Sequence, residues 1–437
     1  MIKLTVVATI SIALALGFKA APAIDAFSET FEVGRASEVI VTVRAACAPC
    51  AWGDAGREAA ALRVSVDGKY SQHILLTRGE APADYRLTLG ALAQGRHTLT
   101  VDRDRELSAS GAGPAAIERV EIKMLVRAMG DDWLAQSMAP ILHARPNTVG
   151  KFTDVPILAW YEIVTTARGR QFRYSIIFTN EDGGTTTDRL MATWGRTTDI
   201  EFVYGVEIDA GGRVLAEEFQ GPGHEVPPFK GSHEAAHPVL FVSTDNNMVS
   251  ETGPLTPRFA PAPERFDLID VSREVVMDRH PWSYAVAAQE MRREGKIVET
   301  AQPGSGKIPD LRQFAFVEAC TDLENAGVVF SVRATIDGVT RWYDSDRGVP
   351  EFRIVRSGCF RGAVPLPSTA ATPDAVRFRA FPPLPQKDKA PPPPGAVRLT
   401  RVNQLFMLGD DYLPRRSTFS WTGSVVLPLN GEWREIR

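Results

Sequence analysis

The sequence predicts a mostly β protein: an N-terminal β-sandwich followed by a larger β-rich domain with one clear helix at about 282–294. Three observations carry this. Apolar and polar residues alternate in short runs such as Ser37-Glu38-Val39-Ile40-Val41-Thr42-Val43, the period of a half-buried strand. Turn formers such as Asp67-Gly68, Gly90, Gly95 and Asp209-Ala210-Gly211-Gly212 punctuate those runs. One stretch, with Tyr284, Ala287, Ala288 and Met291 at i, i+3, i+4 and i+7, keeps a helical period.

Residues 1–23 read as a secretory leader. Lys3 gives a positive start, 4–18 is an apolar run, and Ala21-Pro22-Ala23 is an A-x-A cleavage pattern, placing the mature start at Ile24. Lys19 cuts the run below the length of a membrane span, and no later stretch approaches it, so the expectation is an exported chain, periplasmic or secreted, that is not an integral membrane protein. Residues 24–128 form the expected sandwich, with strands around 37–43, 62–66, 70–76, 85–89, 97–101 and 117–126, and a hairpin at Asp67-Gly68. The main domain is expected over 129–362 plus 396–437. Its strands fall at 157–164 and 172–178, paired across Ala167-Arg168-Gly169, and then at 200–208, 214–219 and 239–242. Pro281 opens the helix and Gly295 closes it; Glu290, Arg292, Arg293 and Glu294 read as its solvated face. Further strands follow at 314–317, 328–334 and 352–355. Residues 363–395 are Pro-rich and read as an extended strap or linker. The 396–437 tail is too short for its own core and is expected to return to the main domain.

The chain has 49 basic and 53 acidic residues, a formal charge of −4; loss of the leader removes Lys3 and Lys19 and makes it −6. An acidic chain without a basic cluster argues against nucleic acid as partner. Four cysteines in an exported chain favour disulfides. Cys47 is expected to pair with Cys50 and Cys320 with Cys359. The Cys47–Cys50 spacing also fits a redox pair or half a zinc site, but it follows an alternating strand rather than opening a helix, and a second C-x-x-C is missing.

The polar groups with chemical potential gather between 160 and 251. Asn180-Glu181-Asp182-Gly183-Gly184, Asp188, Trp194-Gly195-Arg196, Asp199, Glu201 and Asp245-Asn246-Asn247 sit at the ends of apolar runs, where site residues tend to lie. If those strand ends are neighbours, carboxylates and amides converge on one rim. Asp182, Asp188 and Asp245 would offer the oxygen ligands calcium prefers. Glu181, Asp182, Asp188, Asp199 and Glu201 would supply the paired carboxylates of glycoside hydrolysis. Asn180, Trp194, Arg196, Asp245, Asn246 and Asn247 are the ligand-binding candidates, Trp194 as an exposed stacking face and Arg196 as a fork for an anion or a surface salt bridge. Trp160, Tyr161 and Tyr204 are further aromatic candidates. The plain alternative is that Asn, Asp and Gly here only form turns.

His233-Glu234-Ala235-Ala236-His237 matches the zinc-protease H-E-x-x-H pattern, with His224 nearby. That chemistry needs both imidazoles on one helical face, and the flanking Gly231-Ser232 and Pro238 deny it a helix, so the match reads as chance. Gln302-Pro303-Gly304-Ser305-Gly306-Lys307 lacks the first glycine of a phosphate loop and reads as a plain loop, and no G-x-S-x-G nucleophile elbow occurs.

Ala139-Pro140-Ile141-Leu142, the run from Tyr174 to Asn180, and His237-Pro238-Val239-Leu240-Phe241-Val242-Ser243 together resemble the vacuolar protein sorting sixty-two-like family over about 139–250. That family's Gly-Asp-Trp-Glu-His stretch would fall at Thr198-Asp199-Ile200-Glu201-Phe202, where its Trp and His are absent. The resemblance implies a β-rich scaffold and no settled activity. The N-terminal domain is similar to sugar-binding β-sandwich modules in strand number and size, an analogy of fold. The functional expectation is recognition of an extracellular or cell-envelope glycan through the rim, with calcium as a candidate aid; the alternatives are a secreted glycosidase and a non-catalytic structural envelope protein.

Overall fold

A computed structural model of the chain describes residues 25–385 and 392–437. The leader expected at 1–23 lies outside the described residues, as does part of the Pro-rich stretch. Strands dominate, in agreement with the expected class, and they build three units rather than two.

The first unit is the expected sandwich. Ala26–Val33, Gly95–Asp104, Ala61–Val66 and Lys69–Leu75 form one sheet, in that order; Ala83–Leu92, Ser37–Cys47 and Ala115–Leu125 form the other. Val39, Val41 and Val43 point inward, as their alternation predicts, against Leu62, Val64, Leu99 and Val101 of the facing sheet. Asp67 and Gly68 both take left-handed backbone (φ 52° and 73°), the primed turn that matches strand twist. Cys47 and Cys50 are bonded and close the loop after the central strand.

The second unit is layered. Val214–Phe219, Asp199–Ile208, Arg170–Phe178, Pro156–Thr165 and Glu264–Arg265 form a sheet in that order, antiparallel except at its last pair. Successive side chains leave a strand on opposite faces, so each face has its own core. Tyr161, Tyr174, Ile176, Phe178 and Tyr204 pack against a small sheet that includes Ile141–His143 and His237–Val242. Trp160, Ile177 and Ile200 pack against Tyr284, Ala287, Ala288 and Met291 of the Trp282–Arg293 helix, and against Phe314, Phe316 and Phe406 from the third unit. Gly169, in the turn between the paired strands, is forced: a Cβ there would lie 2.0 Å from the Ile208 carbonyl oxygen. Gly169→Ala should therefore destabilise by about 2 kcal/mol. Gly150→Ala, whose Cβ meets nothing within 4 Å, should be neutral or better. Urea midpoints of the two variants check this.

The helix matches its expected span, but one face departs from the reading. Glu290 is fully buried, accepting a hydrogen bond from Trp52 Nε1 at 2.9 Å, and Arg293 donates to the Trp52 and Phe152 carbonyls at 2.8 and 2.6 Å. Those charges are not solvated; they receive Trp52, which the disulfide loop of the first unit drives into the second. Around it Ala59, Leu75, Ala144, Phe152, Phe259 and Val286 make a shared apolar core.

The third unit is a second sandwich. Gly358–Pro365, Phe314–Leu323, Val397–Phe406 and Phe419–Leu427 form one sheet, and Val339–Asp344, Gly327–Ile336, Thr372–Phe381 and Arg434–Glu435 face it. The tail pairs with Phe314–Leu323, inside the range expected for the main domain, and with 327–381 builds this sandwich around Val328, Phe330, Val376, Phe378, Leu399 and Leu405. The 363–395 strap is strand at Thr372–Phe381, where Phe378 and Ala380 alternate with Arg377 and Arg379 beneath a misleading excess of proline at the strand ends. Those arginines stack on Trp433 at 4.3 and 4.2 Å from its ring centre, and Arg377 also meets Trp342 at 4.4 Å. Cys320 and Cys359 face each other on adjacent strands and are bonded, as expected. Among the described residues no helix is long and apolar enough to cross a membrane.

Candidate functional site

Three strand ends meet at one edge of the central unit. The chain leaves Phe178 into Thr179-Asn180-Glu181-Asp182, enters the next strand at Asp199, and leaves Val242 into the 243–247 turn. Asn247 ties them. It is fully buried with left-handed backbone (φ 56°), which Asn tolerates. Its Nδ2 donates to Asp154 Oδ1 at 3.2 Å, to the Asn180 carbonyl at 3.1 Å and to Asp199 Oδ2 at 3.0 Å. The backbone N–H groups of Asp182 and Gly183 both donate to the Asp245 carbonyl, at 3.0 and 3.1 Å.

On one side of Asn247 lies the buried guanidinium of Arg145. It pairs with Asp154, with Asp182 at 2.8 Å and with Asp245. Thr153 Oγ1 donates to Asn180 Oδ1 or Asp182 Oδ1, each at 3.0 Å, and Asn180 Nδ2 donates to Asp182 Oδ1 and Glu294 Oε1, also at 3.0 Å. Burial, with the Asp182 charge beside it, pushes Asp154 up to about 9. Burial works against Asp182 too, but hydrogen bonds from Asp154 and Thr153 and the Arg145 charge hold it below the ordinary carboxylate value.

On the other side stand Glu181, Asp199 and Glu201. Glu181 accepts from the Thr185 N–H at 2.9 Å and Glu201 from Gln220 Nε2 at 2.8 Å. Burial, then repulsion from Asp199, pushes Glu181 up to about 7 and Glu201 up to about 8. Asp199 is itself raised by burial against the pull of Arg196. Glu181 and Glu201 keep partial solvent access; Asp199 has none.

The structure therefore gathers Asn180, Glu181, Asp182, Arg196, Asp199, Glu201, Asp245, Asn246 and Asn247, and leaves Asp188 and the aromatic candidates out. Asp188 lies on a helix, Thr187–Trp194, that the sequence reading took for loop; its carboxylate accepts from the Gly304 N–H of the 302–307 loop at 2.7 Å. Trp194 ends that helix half-buried, with the Arg356 guanidinium 4.9 Å from its ring centre, so it is not an open stacking face. Arg196 is buried rather than on the surface, donating to the Thr198 carbonyl and pairing with Asp199 at 3.5 Å and Glu274 at 3.3 Å. Trp160, Tyr161 and Tyr204 are all core. Among the described residues no three His, Cys, Asp or Glu side chains are grouped to hold a metal; the cation that Asp182 and Asp245 share is Arg145. His233 and His237 sit on a hairpin, His233 beside Glu217 and His237 between the Ala139 carbonyl and Glu38. Arg145, Asp154 and Gln220 are neighbours of these residues that sequence reasoning missed. Single charged or amide residues carry no periodicity, and only Thr153-Asp154 just ahead of a strand hints at a buried turn.

No family model and no curated protein matches the chain. Solved structures are similar only weakly, as three of them show. The C-terminal domain of EclA, a sugar-binding protein, has a TM-score of 0.18 and 20% identity, over 22% of this chain and 65% of that one. A GH2 beta-galacturonidase from Eisenbergiella tayi bound to galacturonate has a TM-score of 0.16 and 14% identity, over 47% and 28%. A lectin from Pleurotus ostreatus in complex with GalNAc has a TM-score of 0.11 and 8% identity, over 94% and 77%. At such scores the likenesses carry no argument about fold or ligand, and the site rests on its own geometry.

Proposed function

We propose that this protein recognises a polyhydroxylated ligand, a glycan of the cell envelope or extracellular space, on the rim formed by Glu181, Glu201, Gln220 and Asn246. The observation behind this reading is the pair Glu181 and Glu201, partly exposed carboxyls whose burial keeps protons on them near neutrality. A protonated carboxyl both donates and accepts, as does the side-chain amide, and that is the pattern two vicinal hydroxyls require. Export fits the Ala21-Pro22-Ala23 pattern and the two paired disulfides. A glycosidase is the second reading, favoured by the same pair: two partly exposed carboxyls near enough to repel each other are the parts such hydrolysis uses.

The test is thermal unfolding with a polysaccharide panel, with calcium and with EDTA, on the wild type, Glu181→Ala and Asp182→Ala. A ligand at 100 times its Kd stabilises by about 2.7 kcal/mol. A glycan shift lost in Glu181→Ala is the expected result. Reducing sugar released by the wild type and not by Glu201→Gln would turn the reading to hydrolysis. A calcium shift lost in Asp182→Ala would place the ion beside Arg145. No shift from any polysaccharide would leave a structural envelope protein.

A further inference from the structure

A separate cleft lies at the junction of the first and second units, with a volume of about 290 Å3. None of the rim residues lines it. One wall comes from residues 72–78 and 84–87 of the first sandwich, the other from residues 155–159 and 259–264 and the start of the long helix at Trp282. Its apolar lining includes Leu75, Leu87, Leu158 and Phe259.

Most polar groups in the cleft are already engaged. Gln72 donates to the Thr88 carbonyl at 2.6 Å and accepts from the Ala260 N–H at 2.9 Å. His73 lies between Tyr70 and Asp104 at 2.7 and 3.2 Å. Arg86 and His280 hold Glu264 at 2.5 and 3.2 Å, and Asp84 is paired with Arg44 at 3.2 Å. Arg78 is the exception. Its guanidinium stacks on the Trp282 ring at 4.8 Å, and among the described residues it makes no ion pair and no side-chain hydrogen bond; only its backbone N–H is engaged, with Tyr85. Burial lowers its proton affinity from the ordinary value, against the opposing pull of Tyr85 and Asp84.

A guanidinium fixed against an indole, with its N–H fork free beside an apolar recess, is built to take a carboxylate in two parallel hydrogen bonds. The recess sits at the lower end of small-ligand pockets in size. Asp84 and Glu264 at its edge would repel a second negative charge. We propose that the cleft binds a small amphipathic monocarboxylate, its oxygens on Arg78 and its apolar body on Leu75, Leu87, Leu158 and Phe259. This site is independent of the rim.

Phenylacetate and its neutral isostere phenylacetamide separate the possibilities by isothermal titration of the full-length chain. Saturable phenylacetate binding is expected, at least tenfold tighter than phenylacetamide, weakening as salt rises, at least tenfold weaker in Arg78→Gln, and unchanged in Glu201→Gln. Arg78 makes no ion pair, so R78Q should keep the wild-type melting temperature. If it does not, Arg78→Lys retains the charge without the fork and should bind several-fold more weakly than wild type. Equal affinity for acid and amide, undiminished binding in a folded Arg78 variant, or no heat from either compound at millimolar concentration would overturn the proposal.

Discussion

Arg361→Ala should destabilise the protein by about 3–5 kcal/mol, the cost of leaving a buried charge without its partner. Arg361 lies on the Gly358–Pro365 strand and is fully buried, as is Glu318, to which it donates at 2.5 Å. The same guanidinium reaches both oxygens of Asp278 at 2.6 and 2.8 Å, Tyr284 Oη at 2.7 Å and the Glu274 carbonyl at 3.2 Å. Asn403 and Gln404 fill the remaining acceptors of Glu318 at 3.1 Å. One arginine thus bolts the third unit to the helices of the second. With Ala in its place Glu318 keeps its amides and loses its charge partner. The double variant Arg361→Met with Glu318→Met should recover a large part of the loss, because an apolar pair of similar volume replaces a desolvated one. Urea unfolding of the three chains measures this. A loss below about 1 kcal/mol in the single variant, outside the range for a broken buried pair, would mean the network is not a clamp.

Stability should fall as pH rises from about 5 to about 9, the reverse of ordinary carboxylate behaviour. Burial, first among the causes in each case, pushes Glu181 up to about 7, Glu201 and Glu290 up to about 8 and Asp154 up to about 9. In the unfolded chain these groups titrate near 4. Between those limits the folded state holds protons that the unfolded state has released, so raising pH favours unfolding. Carboxylates held low, such as Asp182, Glu264 and Asp310, act oppositely, but their contribution is lost only when pH falls through their depressed folded values, below this window. His73, lowered by burial, sets a limit on the acid side, since its unfolded form takes a proton below about 6.5. Glu201→Gln removes one titrating group. It should stabilise by a few kcal/mol at pH 9 and by much less at pH 5. Melting curves of both chains across that range check the sign, and a wild-type curve that is flat or rising would contradict it.

Much of the fold could be read from pattern. Val39, Val41 and Val43 lie in the first core because period two survives any tertiary context, and Asp67-Gly68 turns because few residue pairs adopt its backbone. The helix beginning at Trp282 was plain from Tyr284, Ala287, Ala288 and Met291. At the site, the convergence of Asn180, Asp199 and Asp245 followed from their places at strand ends. What stayed hidden was which charges go inside. Glu290 and Arg293 alternate like a solvated face, yet they receive Trp52; Arg145, Arg196 and Arg361 look like any surface arginine until the partner that neutralises each is brought up from distant sequence. The third unit escaped notice because the Pro-rich ends of Thr372–Phe381 masked its alternation, and the Thr187–Trp194 helix because its 8 residues are too few to show a helical period.

Chains of several units are ordinarily jointed, and a recess between two of them works as a jaw. Trp52 removes that freedom here. Seated among Phe152, Phe259 and Val286, with its indole N–H held by Glu290, it acts as a dowel across the joint beside the cleft. The opening next to it has a fixed aperture. Whatever enters meets walls already at their final spacing, so entry costs little ordering of the protein, and selection falls on the shape of the guest rather than on closure of the host.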